Sequence, residues 1–258
     1  MKRLIALLLV LLMMVTLCAC GRKAQSSDAG NNNGASPASN TTTSSKDEDY
    51  KIDQVFFRTF QGTDGEHFQG SFRVTNTGKT PLFLGAAFWE LKDSSGKTIT
   101  TSSQQPGTFA SPTVIDVGET SWYYINALVE RMTDGSGDIA TAEPKYRITD
   151  PPENNITFFK RYQVSELRLE ENGGKLTASG VVENNTDEGS NYILIYVNLY
   201  DKDGRLVGQL KSSATPLLPG EKQSFVAEQD STWSSGELSL ALSDIASYDA
   251  VAYYLKTA

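Results

Sequence analysis

The sequence predicts an all-β protein, two β-sandwich domains in tandem behind a short apolar leader and a polar tether. Three observations carry this. One module is written twice in the chain. Apolar residues alternate at period two between turn dipeptides. No stretch shows a convincing amphipathic-helix pattern, and Ser243–Ala250 offers at most one turn.

The leader comes first. Met-Lys-Arg is followed by LIALLLVLLMMVTL, two positive charges and then an apolar run, the layout of an export signal. The run from Leu4 to Ala19 is sixteen residues, whereas a spanning helix needs about 20. Both cysteines of the chain, Cys18 and Cys20, stand directly behind it. Leu17-Cys18-Ala19-Cys20 resembles the lipobox of bacterial lipoproteins, with an aliphatic residue at −3 and a small residue at −1. The resemblance implies that residues 1–19 are cleaved as a signal peptide and that Cys20 receives diacylglycerol. Two acyl chains anchor stably where one binds only marginally. The expected location is therefore the extracytoplasmic face of a cell membrane. No thiol pair would remain, so each domain must be held by its own apolar core.

Residues 20–49 read as Ser, Asn, Thr, Gly and Ala with almost no large apolar side chain. Such a segment cannot offset the entropy of ordering, and it is expected to be a disordered tether. As a coil it would span roughly 30 Å. The whole chain carries a formal charge of −8; loss of Lys2 and Arg3 with the signal leaves 21 basic against 31 acidic residues. That balance argues against nucleic acid as a partner and against basic-patch adhesion to anionic lipid.

The repeat defines the remainder. Val74 and Asn76 match Val182 and Asn184, and fifteen residues beyond each Asn stands Leu91 or Leu199. Each Leu leads to an aspartate, Asp93 or Asp201, and a turn glycine, Gly96 or Gly204. Further on, Val117-Gly118-Glu119 matches Pro219-Gly220-Glu221. The first copy is about six residues longer between the Leu and that second glycine, with the excess around Thr101–Pro112. Phe72/Val74 and Ile193/Ile195/Val197/Leu199 alternate as strands do, and Asn172-Gly173-Gly174 marks a hairpin. Leu91 and Leu199 are expected in the core, with Trp89 and Val197 on the same face. Asp93 and Asp201 are expected to accept backbone N–H groups in a tight turn. Pro151-Pro152 marks a stiff linker, which places the domains at 50–150 and 151–258.

Gly180-Val-Val-Glu-Asn184, Val197-Asn-Leu-Tyr-Asp201, Gly204 and Leu218-Pro-Gly-Glu221 before Phe225 resemble the FxLYD-type modules of bacterial envelope proteins, with Val197 in place of the motif's Phe. Trp89-Glu-Leu-Lys-Asp93 keeps the aromatic, Leu and Asp and loses the Tyr. The resemblance covers roughly residues 50–258 and implies two tandem immunoglobulin-like sandwiches. Its motifs imply a fold and no reaction.

Chemistry-bearing residues are sparse. His67 is the single histidine and stands beside a turn, where a solvated edge residue is expected. No G-x-S-x-G, G-x-G-x-x-G or G-x-x-x-x-G-K-[ST] occurs, and His/Cys metal clusters are excluded by count, so neither a catalytic residue nor a metal or cofactor is expected. Asp201-Lys-Asp-Gly204 opens like a calcium loop but lacks the rest of it, and a plain turn is expected. Glu170 and Glu171 are adjacent on a strand and cannot converge. Candidate binding residues are Trp122 and Tyr124, from the aromatic run "SWYYINAL", and Phe109 in the insertion 102–113. The preferred arrangement of that run sends two aromatics to the core and one over the edge. The expected protein is a non-enzymatic, lipid-anchored extracellular chain presenting two modules for binding or envelope structure, its partner an envelope protein. The alternative is an accessory protein that binds a solute or cell-wall glycan, which would need exposed aromatics including Trp122 or Trp233.

Overall fold

The computed structural model describes residues 49–101, 105–135, 138–151, 160–229 and 240–254. Cys20, the leader, the tether as far as residue 48, the linker from Pro152 and Trp233 lie outside the described residues. Among those described the protein is mostly β, with two short helical turns, and no helix is long and apolar enough to cross a membrane.

The first half opens with the long hairpin β1 (Tyr50–Gln61) and β2 (Glu66–Asn76). Short strands follow: β3 (Leu82–Leu84), β4 (Phe88–Lys92), β5 (Ala110–Ser111) and β6 (Val114–Ile115). Then come β7 (Thr120–Leu128), a single helical turn α1 (Val129–Met132), β8 (Thr141–Lys145) and β9 (Ile148–Thr149). One sheet has the order β1-β2-β7-β5; β6-β3-β9 and β4-β8 form two smaller sheets. Phe57, Phe68, Phe72, Leu84, Trp89, Leu91 and Tyr123 fill the core of this half. Trp89 meets Phe68 and Phe72 edge-on at 5.4 and 5.9 Å, a geometry that aromatic quadrupoles favour.

The second half has longer strands: β10 (Arg161–Asn172), β11 (Lys175–Glu183), β12 (Ile193–Tyr200), β13 (Leu206–Ala214), β14 (Lys222–Gln229) and β15 (Ser247–Tyr254). They close in the order β10-β11-β14-β13-β12-β15, with β15 returning to β10 through Arg161↔Tyr253 and Tyr162↔Ala252. Closure removes the free edges an open sheet would expose. Ile193, Ile195, Val197 and Leu199 are wholly buried on one face of β12, as their alternation predicts. The helical turn expected within 243–250 is a 3-10 turn at Leu242–Asp244, and the chain is already strand by Ser247.

Both opening hairpins carry the same irregularity. Register slips between Asp53 and Phe56 in β1, and between Ser165 and Arg168 in β10. Gln54 and Glu166 take left-handed backbone angles there, φ 53° and 54°. The bulge turns Phe56 out of its own half: it is buried in the core of the second.

Candidate functional site

Most of the polar side chains that stand out in the sequence are consumed by the repeat's own turns. Asn76 and Asn184 are fully buried at the ends of β2 and β11. Asn76 Nδ2 donates to the carbonyls of Thr80 and Ile115 at 2.8 and 3.1 Å; Asn184 Nδ2 donates to those of Glu188 and Leu217 at 2.8 and 2.9 Å. Each Oδ1 accepts a backbone N–H two residues on, from Gly78 or Thr186. The Asn76 N–H meets the Glu119 carbonyl, and the Asn184 N–H meets that of Glu221. Glu119 and Glu221 carboxylates each accept the backbone N–H three residues earlier, at 2.8 Å in both halves.

The aspartates behave likewise. Asp93 Oδ1 accepts the N–H groups of Ser95 and Lys97, and Asp201 Oδ1 those of Asp203 and Arg205, all at 2.9–3.0 Å. The Ser95 hydroxyl bond, with those backbone donors, holds Asp93 below the usual carboxylate range. Burial pushes Asp201 up, but the Arg205 guanidinium and the turn N–H groups outweigh it and hold it low. The Asp201 loop is thus a hydrogen-bonded turn.

His67 departs from expectation. It is not a solvated edge residue: it is 0 % exposed, stacked on Phe60 at 5.2 Å. Its own half encloses the ring: Phe60 lies across one face, and Gly62, Asp64 and Asn126 close around its edge. Its Nε2 lies 2.7 Å from Asp64 Oδ1 and its Nδ1 3.1 Å from Asn126 Oδ1. Neither ring partner is a nucleophile, so His67 does not build a triad here.

The run 121–128 also differs from the preferred arrangement. Only Tyr123 enters the core of the first half, stacked on Phe72 at 4.4 Å. Trp122 and Tyr124 point the other way, into the seam between the halves. Trp122 is 6 % exposed, packed on Tyr200 at 5.6 Å with Arg73 5.7 Å from its ring. The Tyr124 hydroxyl accepts from Gln69 Nε2 at 2.8 Å, and burial pushes its pKa up to about 12. Neither ring presents a free face to a ligand.

The seam has a defined cause. Residue Val207 has no partner on β12, because Tyr200 pairs with Leu206 and Leu199 with Gly208. The Leu206 carbonyl accepts from Ser71 Oγ at 2.8 Å, and the Val207 carbonyl accepts from Gln69 Nε2. Side chains of β2 thereby satisfy buried backbone of β13. Arg161 and Glu119 pair across the same seam.

Phe109 stands where the insertion reading put it, in the open, at 65 % exposure. Ala87 and Thr108 form an antiparallel bridge with both side chains buried. The pleat therefore turns Ala86, Phe88, Gly107 and Phe109 to the outer face. Phe88 is also exposed, at 47 %. Beside it lies an apolar cleft of about 740 Å³, lined by Phe83, Phe88, Lys145, Tyr146 and Arg147 with Gly85 and Ala86 among them. Lys145 pairs with Glu143 at 3.3 Å and Glu90 at 3.6 Å. Arg147 makes no ion pair among the described residues. In the second half the position matching Phe88 is Tyr196, stacked on Tyr253 at 5.9 Å with Lys211 against its ring. The same face is closed in one half and open in the other. The signal for Phe109 was an aromatic in a polar loop; Phe88 carried none, since it reads as one more strand residue.

No family model matches the chain, and no curated protein matches it. Among solved structures it is similar to the secreted serine protease VesC from Vibrio cholerae, at 14 % identity over 77 % of this chain and 49 % of that one, with a TM-score of 0.17. The chain spans about half the length of that protease, and a likeness this low carries no argument about fold or reaction.

Proposed function

We propose that this chain is a non-enzymatic binding protein held by lipid on Cys20 at the extracytoplasmic face of a membrane. Two immunoglobulin-like modules extend from the tether, and the outer aromatic face of the first docks an envelope protein. The observation that carries the reading is the exposed pair Phe88 and Phe109 beside an apolar cleft. Elsewhere His67, both turn asparagines and both turn aspartates are bonded internally. Exposed aromatics grouped at a cleft mark interaction sites more often than chance exposure does. The equivalent turn networks of the two halves support the tandem-module reading. A protein partner is favoured over a glycan because Trp122, one of the two rings a glycan platform would draw on, is packed on Tyr200; the other, Trp233, lies outside the described residues.

The test is retention of the soluble 50–258 fragment on isolated cell envelopes. Replacing both Phe88 and Phe109 with Ser is expected to weaken retention by roughly 30-fold or more, the effect of losing a central aromatic contact. Protease treatment of the envelopes is expected to abolish it. Unchanged retention of the double variant would sink the proposal, and retention that survives protease would move the partner to the wall glycan.

A further inference from the structure

Among the described residues, the seam holds an arginine with no counterion within ion-pair distance. Arg73 is gripped by both carboxylate oxygens of Asp53 at 2.7 and 3.1 Å. Arg205 is held by Asp201 at 2.6 Å, and Arg161 pairs with Glu119. Arg58 on β1 has no carboxylate within ion-pair distance among the described residues. Its Nε donates to Gln69 Oε1 and its guanidinium lies 5.1 Å from the Phe60 ring centre. Its Nη2 is buried without an acceptor. Enclosing a cation in this way is costly unless an anion accompanies it, and burial lowers the pKa of this guanidinium accordingly.

Arg58 lines a cleft of about 530 Å³ between the halves, a volume in the range of small-ligand sites. Phe56, Val207 and Leu240 supply apolar wall, and Lys202 adds positive charge, while Arg205 is paired with Asp201 and Asp203. Two carboxylates also line it. Asp201 is spent on its turn and on Arg205. Asp244 caps the Ala241 N–H through Oδ2. Their presence disfavours a dianion such as phosphate and suits a singly charged group.

We propose that this cleft is a second binding site, for a small carboxylate-bearing molecule with an apolar body. The carboxylate pairs with Arg58, and the body lies against Phe56, Val207 and Leu240. The site is independent of the aromatic face. The competing structural role for Arg58 is to orient Gln69, which reaches both Tyr124 and the Val207 carbonyl. That role predicts lower stability on substitution but no preference for a charged ligand.

Titration calorimetry of the full chain with 4-phenylbutyrate, and in parallel with uncharged 4-phenylbutanamide, separates the two. The acid is expected to bind once, with a Kd below about 1 mM, and the amide about tenfold or more weaker. Arg58→Gln is expected to erase the difference between acid and amide. Arg58→Lys, which keeps the charge should the first variant fail to fold, is expected to retain it at several-fold lower affinity. Equal binding of acid and amide, no heat up to about 10 mM acid, or an undiminished preference in Arg58→Gln each overturns the site. Inorganic phosphate binding more tightly than phenylbutyrate overturns the choice of ligand class.

Discussion

The two halves close their turns with the same atoms but complete their smaller sheets by different means. In the second, β12 is flanked by β13 along its whole length, from Ile193↔Ala214 to Tyr200↔Leu206. In the first, the equivalent edge of β4 meets no long strand among the described residues. The Ile99 N–H donates to the Leu91 carbonyl, and the Leu91 N–H to Thr100 Oγ1 at 2.6 Å. Beyond that the side chain of Gln105 takes over: its Oε1 accepts the Trp89 N–H and its Nε2 donates to the Trp89 carbonyl, both at 2.9 Å. One amide side chain thus does for Trp89 what a neighbouring strand's backbone would do. The chain is released from the sheet as a result, and it uses that freedom to bring Phe109 out beside Phe88. The two halves share their turn atoms, and where the second half has β13 the first has Gln105 and the segment that carries Phe109.

If the turns are equivalent, damage to them should be equivalent too, and large. Asn76→Ala and Asn184→Ala each remove a buried side chain that serves two carbonyls and one N–H. Leaving buried acceptors unmatched costs about 1–3 kcal/mol each. Each variant is therefore expected to lose about 3 kcal/mol or more in urea denaturation. A loss in one half with none in the other would break the equivalence.

The turn part of these networks was legible in the sequence because it is local, whereas the reach of Asn76 to Ile115 and of Asn184 to Leu217 was not. Asn, Leu, Asp and Gly recur at fixed spacing, and a turn's chemistry depends on spacing. The seam was not legible. Phe56, Arg58 and Phe60 alternate with Phe57 as any half-exposed strand would, and nothing in β1 announces that its outer face meets another half. The paired bulges were hidden for a related reason: Gln54 and Glu166 are ordinary residues in a left-handed conformation where glycine would have advertised itself. Trp122 and Tyr124 gave no sign of their surroundings for the same reason, since they pack against the second half, and the enclosure of His67 depends on Phe60 and Asn126, neither of which its own turn announces. Gln105 was equally silent, because a glutamine in a polar loop gives no sign that it will complete a sheet. Its replacement sharpens the comparison. Gln105→Ala is expected to cost about 1–2 kcal/mol, from two part-buried hydrogen bonds. The Trp89 amide should also lose hydrogen-exchange protection, while the Val197 amide keeps its own. Equal effects on both would mean that the insertion is not what holds this edge.

The smallest expected difference lies between the two aspartate turns, and pH exposes it. Asp93 and Asp201 both have folded pKa values depressed below the ordinary carboxylate value. A depressed folded value means that the charged form is favoured in the folded chain. The stabilisation is therefore fully present above the unfolded pKa, near 3.9, and is lost as pH falls through the lower folded value. Asp93 is half-buried and bonds its own turn and the Ser95 hydroxyl without a guanidinium partner, so less depends on its charge. The Asp201 side chain is only 14 % exposed and bonds both the turn and Arg205, whose guanidinium lies 5.0 Å from the ring of Phe56. Asp201→Asn is expected to cost about 1 kcal/mol at pH 7 and to flatten the fall in stability below pH 4, whereas Asp93→Asn should change both by less. Urea midpoints taken from pH 7 down to pH 2 measure this directly. If the two variants give superimposable pH profiles, then Arg205 adds nothing to its turn, and the contact of Arg205 with Phe56 at the seam is packing without charge.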